Sequence, residues 1–197
     1  MEPAKSNLLR KCLNTLYLGS GWLAAACIAA ICLLVVCQVC LNLADRLSSA
    51  ITGSAIGLTI PSYADFTGFF LAAASFLALA HTLRQGGHIR VTLIISHLNK
   101  PLRHILETWC LLLATGVTLY FSWYTFTLIQ ESYIYHDLSP GMIAVPIWIP
   151  QSAMFAGLVV LSIALIDELT GALLGKKPRY VGAGEKLLDN SEDEPAS

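Results

Sequence analysis

Four long blocks of this chain carry no charge. No Asp, Glu, Lys or Arg occurs between Lys11 and Asp45, Asp65 and Arg84, Glu107 and Glu131, or Asp137 and Asp167. Crossing roughly 30 Å of hydrocarbon takes about 20 mainly apolar residues, and each block reaches or approaches that length. A backbone inside a bilayer must close its own hydrogen bonds, which favours helices. The pattern predicts an all-α integral membrane protein with transmembrane helices over about 16–43, 65–83, 102–130 and 144–174.

Between the second and third blocks the period changes. Val91, Ile94, Ile95, Leu98 and Leu102 recur at helical spacing, while Arg90, Thr92, Ser96, His97, Asn99 and Lys100 take most of the other side, with Leu93 the apolar exception. This predicts a short amphipathic helix over about 89–100, lying in the membrane interface. Pro101 suits the start of the helix that follows. The loop after the first span stays apolar (Ile51, Ile56, Leu58, Ile60) and is expected along the membrane surface or against another protein. The aromatic run Tyr120, Phe121, Trp123, Tyr124 and Phe126 is expected at the headgroups. Residues 1–175 thus form a four-helix membrane domain. The polar tail, 176–197, ends acidic and reads as a disordered cytoplasmic segment.

The placement of charge gives the orientation. Lys5, Arg10 and Lys11 precede the first span; Arg84, Arg90, Lys100 and Arg103 lie between the second and third; Lys176, Lys177, Arg179 and Lys186 follow the fourth. The alternate loops hold only Arg46. Cations beside span ends are retained in the cytoplasm, so both termini are expected inside. The cations before Ala24-Ala25-Ala26 also suit a secretory signal. The uncharged run, however, continues to Ala44, past the about 7–15 residues of a signal's apolar region, so an uncleaved span is expected.

Composition agrees: 55% of residues are hydrophobic and 13% charged, against about a quarter charged in soluble domains. Ionisable residues in mid-span would mark a pump or membrane enzyme, and every Asp, Glu, Lys and Arg here falls at a span end or in a loop. Gln38 and Gln151 are the deepest long polar side chains, each expected to bond a neighbouring helix. Asp65 reads as a dipole-matched cap on the second span. Five of the six cysteines fall inside spans and Cys12 at a span end, where they pack as small hydrophobes. His81 and His104 share a similar inner depth, so one inner haem is the cofactor they leave open. No His pair exists near the outer side or at mid-depth, and no cofactor is expected. Nothing matches a phosphate loop, a catalytic triad or a paired-histidine metal motif. No enzyme activity and no nucleic-acid partner is expected. What remains is a protein that supports another membrane protein.

The most cationic break is Arg84-Gln-Gly-Gly-His-Ile-Arg-Val91. Gly86-Gly87 would release the helix, and Arg84, Gly86, Gly87, His88 and Arg90 form an inner elbow leading into the interfacial helix. Here the chain resembles the small (DctQ-like) permease subunit of tripartite ATP-independent periplasmic (TRAP) transporters. That family carries an Arg-x-Gly-x-His-Ile-Arg-Val-type signature after its second span. The Pro-x-Trp-Ile-Pro pattern at 146–150 also fits, and the resemblance covers about residues 10–175. Gln151-Ser-Ala-Met departs from it, standing where a glycine-containing turn is expected.

The resemblance implies a multi-pass subunit of a bacterial inner membrane. Its system would import organic acids such as C4-dicarboxylates or sialic acid, driven by an ion gradient, usually sodium. Implied partners are a large multi-span permease subunit, which carries substrate and ions, and a periplasmic substrate-binding protein; membrane lipids complete the surroundings. No substrate-binding residue transfers to this chain. Pro146, Trp148, Pro150 and Gln151 are candidate partner or interface contacts. The alternative reading is a four-span membrane adaptor or lipid-binding protein unrelated to transport.

Overall fold

A computed structural model describes residues 3–54, 56–85 and 100–174. They form four helices: α1 (Pro3–Thr52), α2 (Tyr63–Arg84), α3 (Lys100–Ile134) and α4 (Trp148–Leu173). All four are long and apolar enough to cross a membrane. The described residues contain no strand, only one antiparallel bridge between Leu138 and Pro146. The expected all-α, four-span class is therefore the observed one. The residues Gly86, Gly87, His88 and Arg90, the tail 176–197, and the interfacial helix expected over 89–100 lie outside the described residues, except for Lys100, where α3 begins.

The helices stand in a row, in the order α1, α2, α4, α3. α2 and α4 pack against each other at the centre, α1 packs on α2, and α3 packs on α4; α1 meets α4 over a short stretch only. α2 and α4 run parallel. Near their starts the Ile143 amide donates to Ser62 Oγ (2.8 Å), and near their far ends Arg84 pairs with Asp167. The two hairpin loops therefore share one end of the row, and Arg84 marks the other.

Small residues let the central backbones approach. Ala73, Ala74 and Ala80 of α2 and Ala164 and Ala172 of α4 are buried. A Cβ on Gly157 would stand 2.5–2.8 Å from the backbone carbonyl and Cβ of Phe76. Only glycine fits there. Without water, close packing and interhelix hydrogen bonds hold membrane helices together, and small residues permit both.

On α1 the inward positions are Leu13, Tyr17, Ser20, Ala24, Cys27, Ile31, Leu34 and Gln38, in alternating steps of four and three. That spacing gives one straight seam against a neighbouring helix. Most of the rest of the helix is exposed and greasy, with Trp22 and Leu33 among its outward side chains. α3 shows the inverse of a soluble helix. Glu107, Thr115, Thr118, Ser122 and Ser132 are buried against α4, while Leu112, Leu113, Trp109 and Trp123 face out. The threonine hydroxyls donate to their own helix at 2.7 Å, Thr115 to Leu111 and Thr118 to Ala114, so no hydroxyl proton is stranded in hydrocarbon.

The helices depart from the sequence expectation in several places, α1 already beginning at Pro3 rather than about 16. α1 continues past Leu43 to Thr52, because nothing breaks it before Gly53, whose φ of +75° and amide bond to Ser49 O (3.0 Å) end the helix. α4 begins at Trp148 rather than 144, since Pro146 is held in the bridge to Leu138. The aromatic run of α3 does not lie at a helix end. Ser122 faces Ser162 at 3.5 Å, in the middle of α4, and the aromatic pair at the end is instead Tyr133 with Trp148. α3 runs on to Ile134, which moves its midpoint towards residues 117–124.

Candidate functional site

No group of three or more His, Cys, Asp or Glu converges as a metal site among the described residues. Most polar contacts between chain segments gather instead at the two ends of the row, and each cluster fastens those segments together.

At one end Arg84, the last residue of α2, reaches two other helices. Its Nη2 lies 2.9 Å from Asp167 Oδ2 on α4, its Nη1 donates to Asn14 Oδ1 on α1 (2.5 Å), and its guanidinium carbon stands 4.4 Å from the centroid of the Tyr17 ring. A planar guanidinium can make all three contacts at once, two through its fork and one through its face. Tyr17 is 2% exposed and forms the floor of the cluster. The ion pair is only partly covered, with Arg84 17% and Asp167 39% exposed. It is screened less than a surface pair and desolvated less than a core pair. Beside it, His81 Nε2 meets Gln85 Nε2 at 2.9 Å, and its ring lies over Gly21 of α1, where a Cβ would come within 2.9 Å of Cγ. His104 is exposed on α3, a helix that does not pack on α2. The fold therefore does not bring His81 and His104 across one pocket.

At the loop end, Gln38 departs from expectation. Its amide binds the returning loop rather than a neighbouring helix, donating to Thr59 Oγ1 (2.9 Å) and accepting from the Ile60 amide (2.8 Å). Asp45 Oδ1 accepts the amides of Ile56 (2.7 Å) and Gly57 (2.8 Å). The apolar loop is thus strapped back along α1. The strap leads to Ser62, whose φ of +56° lies in the left-handed region that non-glycine residues rarely adopt. Its hydroxyl makes no cap on α2 and instead accepts the Ile143 amide. Asp65 sits in the first turn of α2, and Gly141 lies against its carboxylate, so that a Cβ there would overlap Asp65 Oδ2 and Ser62 Oγ.

The candidate contacts of the fourth span are engaged within the α3–α4 hairpin. Pro146 is in the bridge, Trp148 packs edge-on to Tyr133 at 6.0 Å, and Pro150 falls in the first turn of α4, where its missing amide leaves no helical bond unmade. Gln151 is 9% exposed, and its Oε1 has no hydrogen-bond partner among the described residues.

Of the residues singled out from sequence, the structure places Arg84 in the cluster with Asp167. Asn14 and Tyr17 were not singled out, and neither was Asp167 as a partner. The available signal was complementary charge, Arg84 closing α2 and Asp167 near the end of α4. Nothing in a linear pattern pairs residues 70 and 83 positions apart.

Comparison with known families gives one match. The model described as "Tripartite ATP-independent periplasmic transporters, DctQ component" covers residues 54–175, taking in α2, α3, α4 and the motif at 84–91 but none of α1. No curated protein and no solved structure matches.

Proposed function

This chain belongs to the DctQ component family of tripartite ATP-independent periplasmic transporters, and on that premise we propose that it is a scaffold subunit that carries no substrate itself. It pairs with a large multi-span permease subunit in a bacterial inner membrane, with both termini in the cytoplasm. Its system takes up organic acids delivered by a periplasmic binding protein and is driven by an ion gradient, with sodium the leading candidate. The family is one of transporter components, not enzymes.

One observation supports the scaffold role above the others. Polar groups at both ends join segments of the chain: Arg84 to Asn14 and Asp167, Gln38 and Asp45 to the strap, Ser62 to Ile143. A transport pathway needs polar groups aimed into a shared cavity. Here the buried threonine hydroxyls of α3, Thr115 and Thr118, bond their own helix, and the outward surfaces of α1 and α3 are apolar. Such surfaces suit lipid or another membrane protein.

The test is co-expression with a large TRAP permease subunit from the same genome. The two should co-purify in mild detergent, and uptake into proteoliposomes should require both together with the binding protein. Uptake by this chain alone would overturn the proposal.

A further inference from the structure

α1 and α4 part company along most of their length, and the gap between them is an open groove of about 660 Å³. α1 supplies one wall through Lys11, Leu16, Gly19 and Leu23, α2 supplies Leu77, and α4 supplies Val160. Gly19 borders the open space of the groove, and nothing lies within 4 Å of where its Cβ would stand. From Lys11 to Leu23 a helix rises about 18 Å, close to the about 15 Å of one leaflet's hydrocarbon.

The groove's chemistry is divided along its length. Its walls are apolar, and its two hydroxyls are already committed, Thr15 Oγ1 to Lys11 O (3.0 Å) and Ser20 Oγ to Tyr17 O (2.9 Å). The one charged lining residue is Lys11, at the mouth, with Arg10 exposed beside it. Lys11 makes no ion pair among the described residues. An occupant must therefore carry hydrocarbon over most of its length and negative charge at one end.

We propose that this groove seats one anionic phospholipid, with an acyl chain against Leu16, Gly19 and Leu23 and the phosphate at Lys11. A lysine offers a mobile ammonium that follows a headgroup without fixed geometry, and a cation at the surface favours an anionic lipid about five-fold. The site belongs to this chain alone and does not depend on the transporter reading.

The test is native mass spectrometry of the full chain, purified in detergent and supplied with phosphatidylglycerol or phosphatidylcholine. The chain should retain a single lipid, with phosphatidylglycerol favoured about five-fold. Lys11→Gln should erase that preference and Lys11→Arg should keep it. Gly19→Leu, which fills the groove, should lower retention of both lipids. Should Gly19→Leu lose its helical circular dichroism, the Lys11 pair decides alone. Equal retention of both lipids in all variants overturns the proposal. So does a Gly19→Leu chain that keeps its lipid but no longer co-purifies with the large permease subunit, which would make the groove the seat of a partner helix.

Discussion

The guanidinium carbon of Arg84 stands 4.4 Å from the ring centroid of Tyr17, and the same side chain pairs with Asp167 at 2.9 Å. One residue at the end of α2 thereby ties together the helices on either side of it. Arg84→Ala should lower the stability of the purified chain by about 2 kcal/mol, since it removes a cation–π contact and leaves the Asp167 carboxylate without its partner. Arg84→Lys should recover only part of this, because an ammonium lacks the fork that reaches Asn14 and Asp167 together. Thermal melting followed by circular dichroism checks both. Asp167→Asn combined with Arg84→Ala should cost less than the sum of the two single changes, as expected for residues in contact.

Gly157 and Gly171 lie on the same helix with opposite surroundings. A Cβ on Gly157 meets the Phe76 backbone, whereas one on Gly171 meets nothing within 4 Å. Gly157→Ala should force α2 from α4 and cost about 1–3 kcal/mol. Gly171→Ala should be neutral or stabilising by up to about 1 kcal/mol through helix propensity. Melting temperatures of the two variants that move together would argue against the close α2–α4 approach.

The strap on α1 depends on two side chains. Gln38→Leu removes the acceptor of the Ile60 amide and the donor to Thr59, and Asp45→Ala removes the acceptor of Ile56 and Gly57. Amide hydrogen exchange should speed up at Ile60 in the first variant and at Ile56 and Gly57 in the second, with α2 and α4 unchanged. Each change should destabilise the chain by about 1–3 kcal/mol.

Gln151 runs the other way. Its Oε1 is buried without a partner among the described residues, so Gln151→Met, similar in volume, should leave the isolated chain as stable as before or more stable by about 1 kcal/mol. A clear loss of stability, read by thermal melting, would show that the amide is satisfied in a way the fold does not reveal.

The class of this protein is written in its pattern of charge. Charge-free blocks of bilayer length leave a backbone no alternative to helices, and that constraint is local enough to read from composition. The motif at 84–91 was equally legible, because a family signature is a property of consecutive residues. Which helix lies beside which was not legible. The order α1, α2, α4, α3 rests on contacts such as Gly157 against Phe76, and any of the four apolar faces would look equally greasy in a linear pattern. The polar residues show the same division. Asp65, Gln38 and Arg84 stood out because charge and amide groups are rare in such a chain. Their partners, Gly141, Ile60 and Asp167, became known only from the fold, since a hydrogen bond in a bilayer is chosen by proximity across helices and not by spacing along one.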